Sequence, residues 1–404
     1  MTTSTKFSVE KWEDVLRGAD SVIAPTYSRP SSLFIDGCGA VLSDARGEDY
    51  LDMTSGIGVN ALGHRSQILC DAMKEAAAGL THVSNLYHSL PQVELASRLV
   101  EHSFADKVFF CNSGTEAVEA AIKFARLVGG SSKREIVSFS GSFHGRTLGA
   151  LAATDRPDYK RPFEPLPGEF KFAPWNEFGA LEHLTKNTAA VILEPIQGEQ
   201  GIRVADNAWL QSLRERCKQV GALLILDEIQ CGMGRTGTLW AHEQTPVVPD
   251  MMTLAKPLAG GLPIGAVLMT NQVARSLHPG LHGTTFGGGP FITHVACRVF
   301  DEISSPDFLD AVKEKGRLLR EQLEKLTSRE TVEEIRGPGL MLGVRLSGLT
   351  PKEVVDAAFE QKLLIIPSAD QVVRFLPPLN ISEEQVELSV SKFELALSEC
   401  EKTK

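Results

Sequence analysis

The sequence predicts an α/β protein: a large unit built on a mainly parallel sheet, followed by a smaller α+β unit. Three observations carry this. From about residue 90 to 270, short apolar runs alternate with longer stretches of helical period, the pattern of strands joined by crossover helices. Near Pro290 the texture changes to strong amphipathic helices separated by single strands. The 404 residues also exceed what one compact core usually covers.

The elements follow in order. Residues 1–60 are short for an independent domain and are expected to pack on the smaller unit, with Ala40–Met53 (AVLSDARGEDYLDM) forming a hairpin. The large unit, residues 61–294, takes its strands from Lys107–Cys111, Glu135–Phe139, Ala189–Glu194, Ala222–Asp227, Met251–Ala255 and Gly265–Thr270. Helices are expected over Thr115–Leu127, where Ala117, Ala121, Phe124 and Ala125 make one apolar stripe, and over Asn207–Val220. The smaller unit, residues 295–404, continues a helix begun near Ile292. It then reads helix (PDFLDAVKEKGRLLREQLEKL), strand (RGPGLMLGVRL), helix (TPKEVVDAAFEQKLL), strand (QVVRFLPPL) and helix. Ser382 and Gln385 form a capping box that opens the last helix at Glu383.

Composition narrows the function. A formal charge of −10 argues against nucleic acid, which needs a basic face. Seven scattered cysteines without metal-ligand spacing, ten unclustered histidines and no HExxH argue against a metal and for a reducing compartment. No apolar run is long enough to span a membrane. Glu10, Glu13, Asp14 and Asp20 do not suit a transit peptide, and a signal peptide's apolar core is missing. A cytoplasmic location is expected, or the mitochondrial matrix if a presequence is removed.

The stretch Leu223–Gly237 (LLILDEIQCGMGRTG) matches G-x-G-x-x-G, but in the wrong context for a dinucleotide site. Five residues part the strand from Gly232, and Pro246 and Pro249 exclude a long helix after Gly237. Strand ends are more informative, because open α/β sheets bind ligands there. Asp227 ends one strand. Lys256 ends the next, and Pro257 should hold it extended before the flexible, apolar PLAGGLPIGA. A lysine desolvated there could act as a neutral, nucleophilic amine, although spacing alone fits a surface lysine as well. Ser113, Gly114 and Thr115 open a helix directly after a strand, a ready anion site, provided that Glu116 and Glu119 turn away from it. An anion cradle, an aspartate and an amine on one sheet edge are what pyridoxal 5'-phosphate requires.

At these residues the chain resembles the class III (ornithine/acetylornithine-type) aminotransferases of fold type I. The motifs run from SGIGVNALGH and SNLYHSLPQVELA through FADKVFFCNSGTEAVEAAIKFAR, SFHGRTLGALAAT, EPIQGEQGI and LDEIQCGMGRTG. TLAKPLAGGLPIGAVL, HGTTFGGGP and VVRFLPPL complete them. The resemblance implies a seven-stranded, mainly parallel sheet and pyridoxal phosphate as cofactor. It further implies transfer of an ω-amine, N-acetylornithine foremost, to 2-oxoglutarate, a step of arginine biosynthesis.

The roles it implies fall on matching positions. Lys256 is the Schiff-base lysine and proton shuttle, and Asp227 pairs with the pyridine nitrogen. Gln230 reaches the ring hydroxyl, while Ile229 and Phe143 cover the two ring faces. Ser113, Gly114 and Thr115 hold the phosphate, helped by Thr284 and Thr285 from a second subunit, so an obligate homodimer with shared sites is implied. Arg374 and Arg146 take substrate carboxylates, and Glu199 covers Arg374 when an amine donor is bound. Ile57 stands where enzymes acting on free ornithine usually carry tyrosine, which favours an acylated donor. Departures from the usual motifs occur at Val118, at Gly289, in the Tyr87–His88 pair, and at Pro367–Asp370, where PSAD replaces a TAGK-like stretch. They leave open another ω-amine or diamine donor, or a mutase or epimerase on the same fold.

Overall fold

The computed structural model describes residues 11–402. The first ten residues of the expected N-terminal segment, Glu10 among them, lie outside the described residues.

Seven strands make the central sheet: β1 (Lys107–Cys111), β2 (Glu135–Phe139), β3 (Phe170–Ala173), β4 (Thr188–Leu193), β5 (Leu223–Asp227), β6 (Met251–Leu254) and β7 (Gly265–Met269). Their spatial order is β1-β7-β6-β5-β4-β2-β3. Pairing is parallel from β6 through to β3, whereas β7 runs antiparallel to both β6 and β1. Six of these strands lie where the apolar runs place them. The seventh, β3, is a four-residue edge strand whose FKFA run is too short to stand out from its surroundings.

Alternation along the buried strands explains the layering. In β5, Leu223 and Ile225 face the helix Gly114–Gly129, whose Ala117, Ala121 and Phe124 fill that side. Leu224 and Leu226 point the other way, toward Trp209, Leu210 and Leu213 of the helix Asn207–Val220. Both faces of the sheet are thereby covered, which is why the strands read as nearly continuous apolar runs.

A second sheet joins the hairpin Val41–Asp44/Asp49–Asp52 to Phe34–Cys38 and, from the far end of the chain, to Leu363–Leu364. A third contains Val332–Arg336, Leu342–Leu346, Val372–Phe375 and Ile366–Ser368, with the helices Pro306–Glu324, Pro351–Glu360 and Glu383–Lys402 beside it. The last helix opens as expected, Ser382 and Gln385 exchanging side chain-to-backbone bonds of 3.1 and 3.2 Å. The GMGRTG segment is a buried turn, followed by no long helix but only by the single 3-10 turn Ala241–Gln244. Its Arg235 donates to the Leu340 carbonyl at 3.1 Å and to the Pro377 carbonyl at 2.5 Å, so the turn is tied to the C-terminal part of the chain. Burial lowers the Arg235 guanidinium to about 9. Among the described residues no helix is long and apolar enough to cross a membrane.

One crossing sets a stability expectation. Gly316 lies buried within the helix Pro306–Glu324, and a Cβ there would come within 2.5 Å of the Gly339 backbone carbon. Alanine favours a helix by up to about 1 kcal/mol over glycine, but overpacking of this kind costs about 1–3 kcal/mol. Gly316→Ala is therefore expected to lower the urea midpoint despite the better helix former, with the slope of the transition unchanged.

Candidate active site

Because β1, β2, β4, β5 and β6 point the same way, their carboxyl ends deliver side chains to one edge of the sheet. A cavity of about 480 Å³ opens there. Ser113, Gly114 and Thr115 reach it from β1, Phe143 and Arg146 from β2, Glu199 from β4, Asp227, Ile229 and Gln230 from β5, and Lys256 from β6. Ten of the residues singled out from the sequence thus line one space.

Asp227 is only 4% exposed, a costly place for a carboxylate unless it is well bonded. Its Oδ1 accepts from the Thr253 hydroxyl and from the Ile229 N–H, each at 3.1 Å. Its Oδ2 lies within hydrogen-bond reach of His144 Nδ1, at 2.8 Å. His144 Nε2 is buried without a partner.

Lys256 is buried in the same cavity, and burial lowers its ammonium from the usual 10.5; Arg374 lowers it further, while Glu199, Asp227 and Glu194 oppose the shift. Its backbone corrects the expectation of an extended residue. Ala255 has φ −163° and ψ −117°, while Lys256 has φ +20° and begins the short turn Lys256–Ala259. The preference that Pro257 imposes yields to the reversal the chain must make between β6 and the antiparallel β7, sealed by the Leu258 N–H to Ala255 carbonyl bond at 2.8 Å. Pro257, Leu258 and Ala259 around it are buried and apolar.

At the β1 end, Ser113 caps the helix by accepting the Glu116 N–H at 3.3 Å. Thr115 Oγ1 accepts from the Arg146 and Thr147 N–H groups, each at 3.2 Å. The hydroxyls accept from the fold and keep their own protons to donate, beside the free N–H groups of the helix's first turn, which could face an anion. Both acids turn away. Glu116 accepts from the Asn112 N–H at 2.6 Å, and Glu119 accepts from Gly149 N–H at 2.8 Å. A Cβ on Gly114 would come within 2.9 Å of Ile229 Cδ1, so the turn must be glycine for Ile229 to lie against it.

Arg374, in the middle of Val372–Phe375, is 2% exposed. Its Nη1 donates to Glu199 Oε1 at 2.8 Å and to the Gly198 carbonyl at 3.1 Å. Burial pushes the Glu199 carboxyl up, but the Arg374 charge and hydrogen bond outweigh it and leave the group below its usual 4.5. Arg146 is exposed, its guanidinium 3.6 Å from the Tyr159 ring.

Four singled-out residues do not line the cavity: Arg374, which lies behind Glu199, and Ile57, Thr284 and Thr285. Ile57 is 44% exposed, in a segment that nonetheless borders the site: Val59 lines it, and a Cβ on Gly58 would come within 3.9 Å of Gln230. Thr284 lies one residue away, its hydroxyl accepting from Asn112 Nδ2 at 3.0 Å, and Thr285 is exposed beside it. Of the departures, Val118 is buried against the sheet and Gly289 caps the helix Pro290–Ile303, so neither touches the cavity. Only Pro367–Asp370 abuts the Glu199 loop.

Two further residues escaped sequence reasoning. His144 lay inside SFHGRT with nothing to show that it meets Asp227. Glu194 follows an apolar strand just as Asp227 does, and the same strand-end rule would have found it. It accepts the Phe143 N–H at 3.1 Å, and burial together with Asp227 raises its carboxyl well above 4.5.

The buried carboxylate gives a testable energy. Asp227→Ala would leave the Thr253, Ile229 and His144 groups unpaired, and a loss of about 1–3 kcal/mol in urea unfolding is expected.

The family model for class-III aminotransferases matches residues 23–397. The mitochondrial acetylornithine aminotransferase of Alnus glutinosa is 48% identical over 389 residues, covering 93% of this chain and 85% of that protein. The crystal structure of N-acetylornithine aminotransferase from Stenotrophomonas maltophilia superposes with a TM-score of 0.83 at 37% identity, over 96% of this chain and 100% of the other. An ornithine aminotransferase from Toxoplasma gondii, whose structure has partial occupancy of PLP at its active site, gives 0.93 at 30% identity, over 98% and 97%.

Proposed function

The chain belongs to the class-III aminotransferases, and on that premise we propose that it moves the terminal amino group of N-acetylornithine to 2-oxoglutarate, giving the semialdehyde and glutamate, with pyridoxal 5'-phosphate as cofactor. The observation that carries this reading is the meeting, in one cavity, of a buried lysine, a buried aspartate at a strand tip and a glutamate covering an arginine.

The residues present fit the cofactor. Gln230 Oε1 is buried with no partner, as an acceptor for a ring hydroxyl would be, and Gly114 leaves the helix N-terminus open to a phosphate. When bound, pyridoxal phosphate supplies the aldehyde that an amine condenses with and a protonated ring that accepts the electrons released at the substrate carbon. Asp227, held by three partners, keeps the ring nitrogen protonated. Ile229 and Phe143 confine the ring between them. Lys256 Nζ, neutral more readily than an ordinary lysine, holds the cofactor and carries the proton from the substrate carbon. Arg374 and Arg146 bind carboxylates, the former in a planar fork.

Glu199 makes the pocket serve two substrates. While it covers Arg374, a donor whose reacting end bears no carboxylate fits; when it swings aside, the acceptor's α-carboxylate takes its place. This alternation is what transamination needs and what a mutase or epimerase does not. The acylated donor is supported by Ile57 and by the higher identity to acetylornithine enzymes than to the ornithine enzyme.

We assign the cofactor-binding unit to residues 61–294 and the closing unit to residues from 295 onward, with the described residues 11–60 against it; pairing of Leu363–Leu364 with Leu51–Asp52 supports this. A homodimer is likewise proposed, in which Thr284 and Thr285 complete the partner's phosphate site. Leu86, Leu90 and Phe286, at 85%, 70% and 68% exposure, give that face the apolar character an interface requires.

Purified protein is expected to be yellow, and Lys256→Ala to lose both that colour and turnover, the latter by about 10²–10⁴-fold or more. With 2-oxoglutarate as acceptor, glutamate should form fastest from N-acetylornithine among a panel including ornithine, 4-aminobutyrate and lysine. A different preferred amine would point to a specialised relative, and a colourless protein that ignores the cofactor would end the proposal. The lowered Lys256 also predicts a pH profile: cofactor uptake by the apoprotein needs the neutral amine, so its rate should rise with pH and level off below 10.5.

A further inference from the structure

The loop Gly198–Gly201 carries Glu199, and its backbone is fastened from several sides. Ser368 Oγ accepts the Gly201 N–H at 2.9 Å and lies 2.9 Å from the Glu199 carbonyl and 3.2 Å from that of Gly198. The hydroxyl has one proton, so it serves one carbonyl at a time while still accepting from Gly201. Ala369 N–H adds a 3.3 Å bond to the Glu199 carbonyl, and Arg156 reaches the same oxygen at 2.5 Å. Arg336 donates to the Gly201 carbonyl at 3.3 Å and pairs with Asp370 at 2.6 Å. The strand that supplies Ser368 also gives Arg374 its Pro367 carbonyl contact at 3.4 Å.

Ser368 belongs to the PSAD stretch, and its hydroxyl is placed on the backbone of the loop that carries Glu199. We propose that Ser368 is a positioning residue: it pins the Gly198–Gly201 loop, holds Glu199 over Arg374, and so tilts the shared pocket toward the amine donor and away from the dicarboxylate. The inference rests on the transaminase reading above.

The test uses the holoenzyme and glutarate, a five-carbon dicarboxylate with no amino or keto group, titrated by calorimetry beside steady-state kinetics. Ser368→Ala removes only the hydroxyl of a half-buried side chain and should fold. It is expected to bind glutarate about three- to tenfold more tightly, the worth of one or two neutral hydrogen bonds. The KM for 2-oxoglutarate should fall by a similar factor, while the donor KM stays within about twofold. Glu199→Gln should bind glutarate more tightly than either, and adding Ser368→Ala to it should change nothing further, because both act on the same contact. Unchanged glutarate binding in Ser368→Ala, with tighter binding in Glu199→Gln, would overturn the pin alone. A parallel shift of donor and acceptor constants would also overturn it, as the mark of a general structural effect. If glutarate fails to bind Glu199→Gln at all, Arg374 is not a carboxylate site, and the pin falls together with the reading beneath it.

Discussion

The structure depends on satisfying a carboxyl group at the buried tip of β5. Everything around Asp227 answers that demand. Thr253 comes from the neighbouring strand in register, Ile229 folds its N–H back, and His144 arrives from the far side of β4. Thr253 and His144 could not reach the carboxylate unless β2, β5 and β6 ended level with one another. The parallel sheet is what makes them end level, and the two helical layers keep that sheet dry.

The same dryness shapes the neighbouring groups in opposite directions. It makes the Lys256 amine easier to deprotonate and the Glu194 carboxyl harder to ionise. Glu199 escapes because Arg374 is its direct partner. Three groups in one cavity are thus shifted in different directions by their surroundings.

Much of this could be read in the sequence, for a physical reason. Strands buried on both faces appear as continuous apolar runs, and residues just beyond them must be turns. Asp227, Lys256 and Ser113–Thr115 are conspicuous because polar groups directly after such runs have few bland explanations. The edge strand β3 was illegible because four residues with one covered neighbour carry too little pattern. His144 was illegible because its partner lies on another strand. The backbone of Lys256 went wrong because a local proline preference met a reversal that only the antiparallel β7 requires. Thr284 and Thr285 lie at the surface of a single chain, so their role could come only from the resemblance.

That reversed strand has a consequence for how the protein comes into being. β1 touches the sheet only through β7, which is made roughly 150 residues later. The strand that leads into the Ser113–Thr115 turn is therefore paired by the longest-range closure in the sheet, the slowest kind to form.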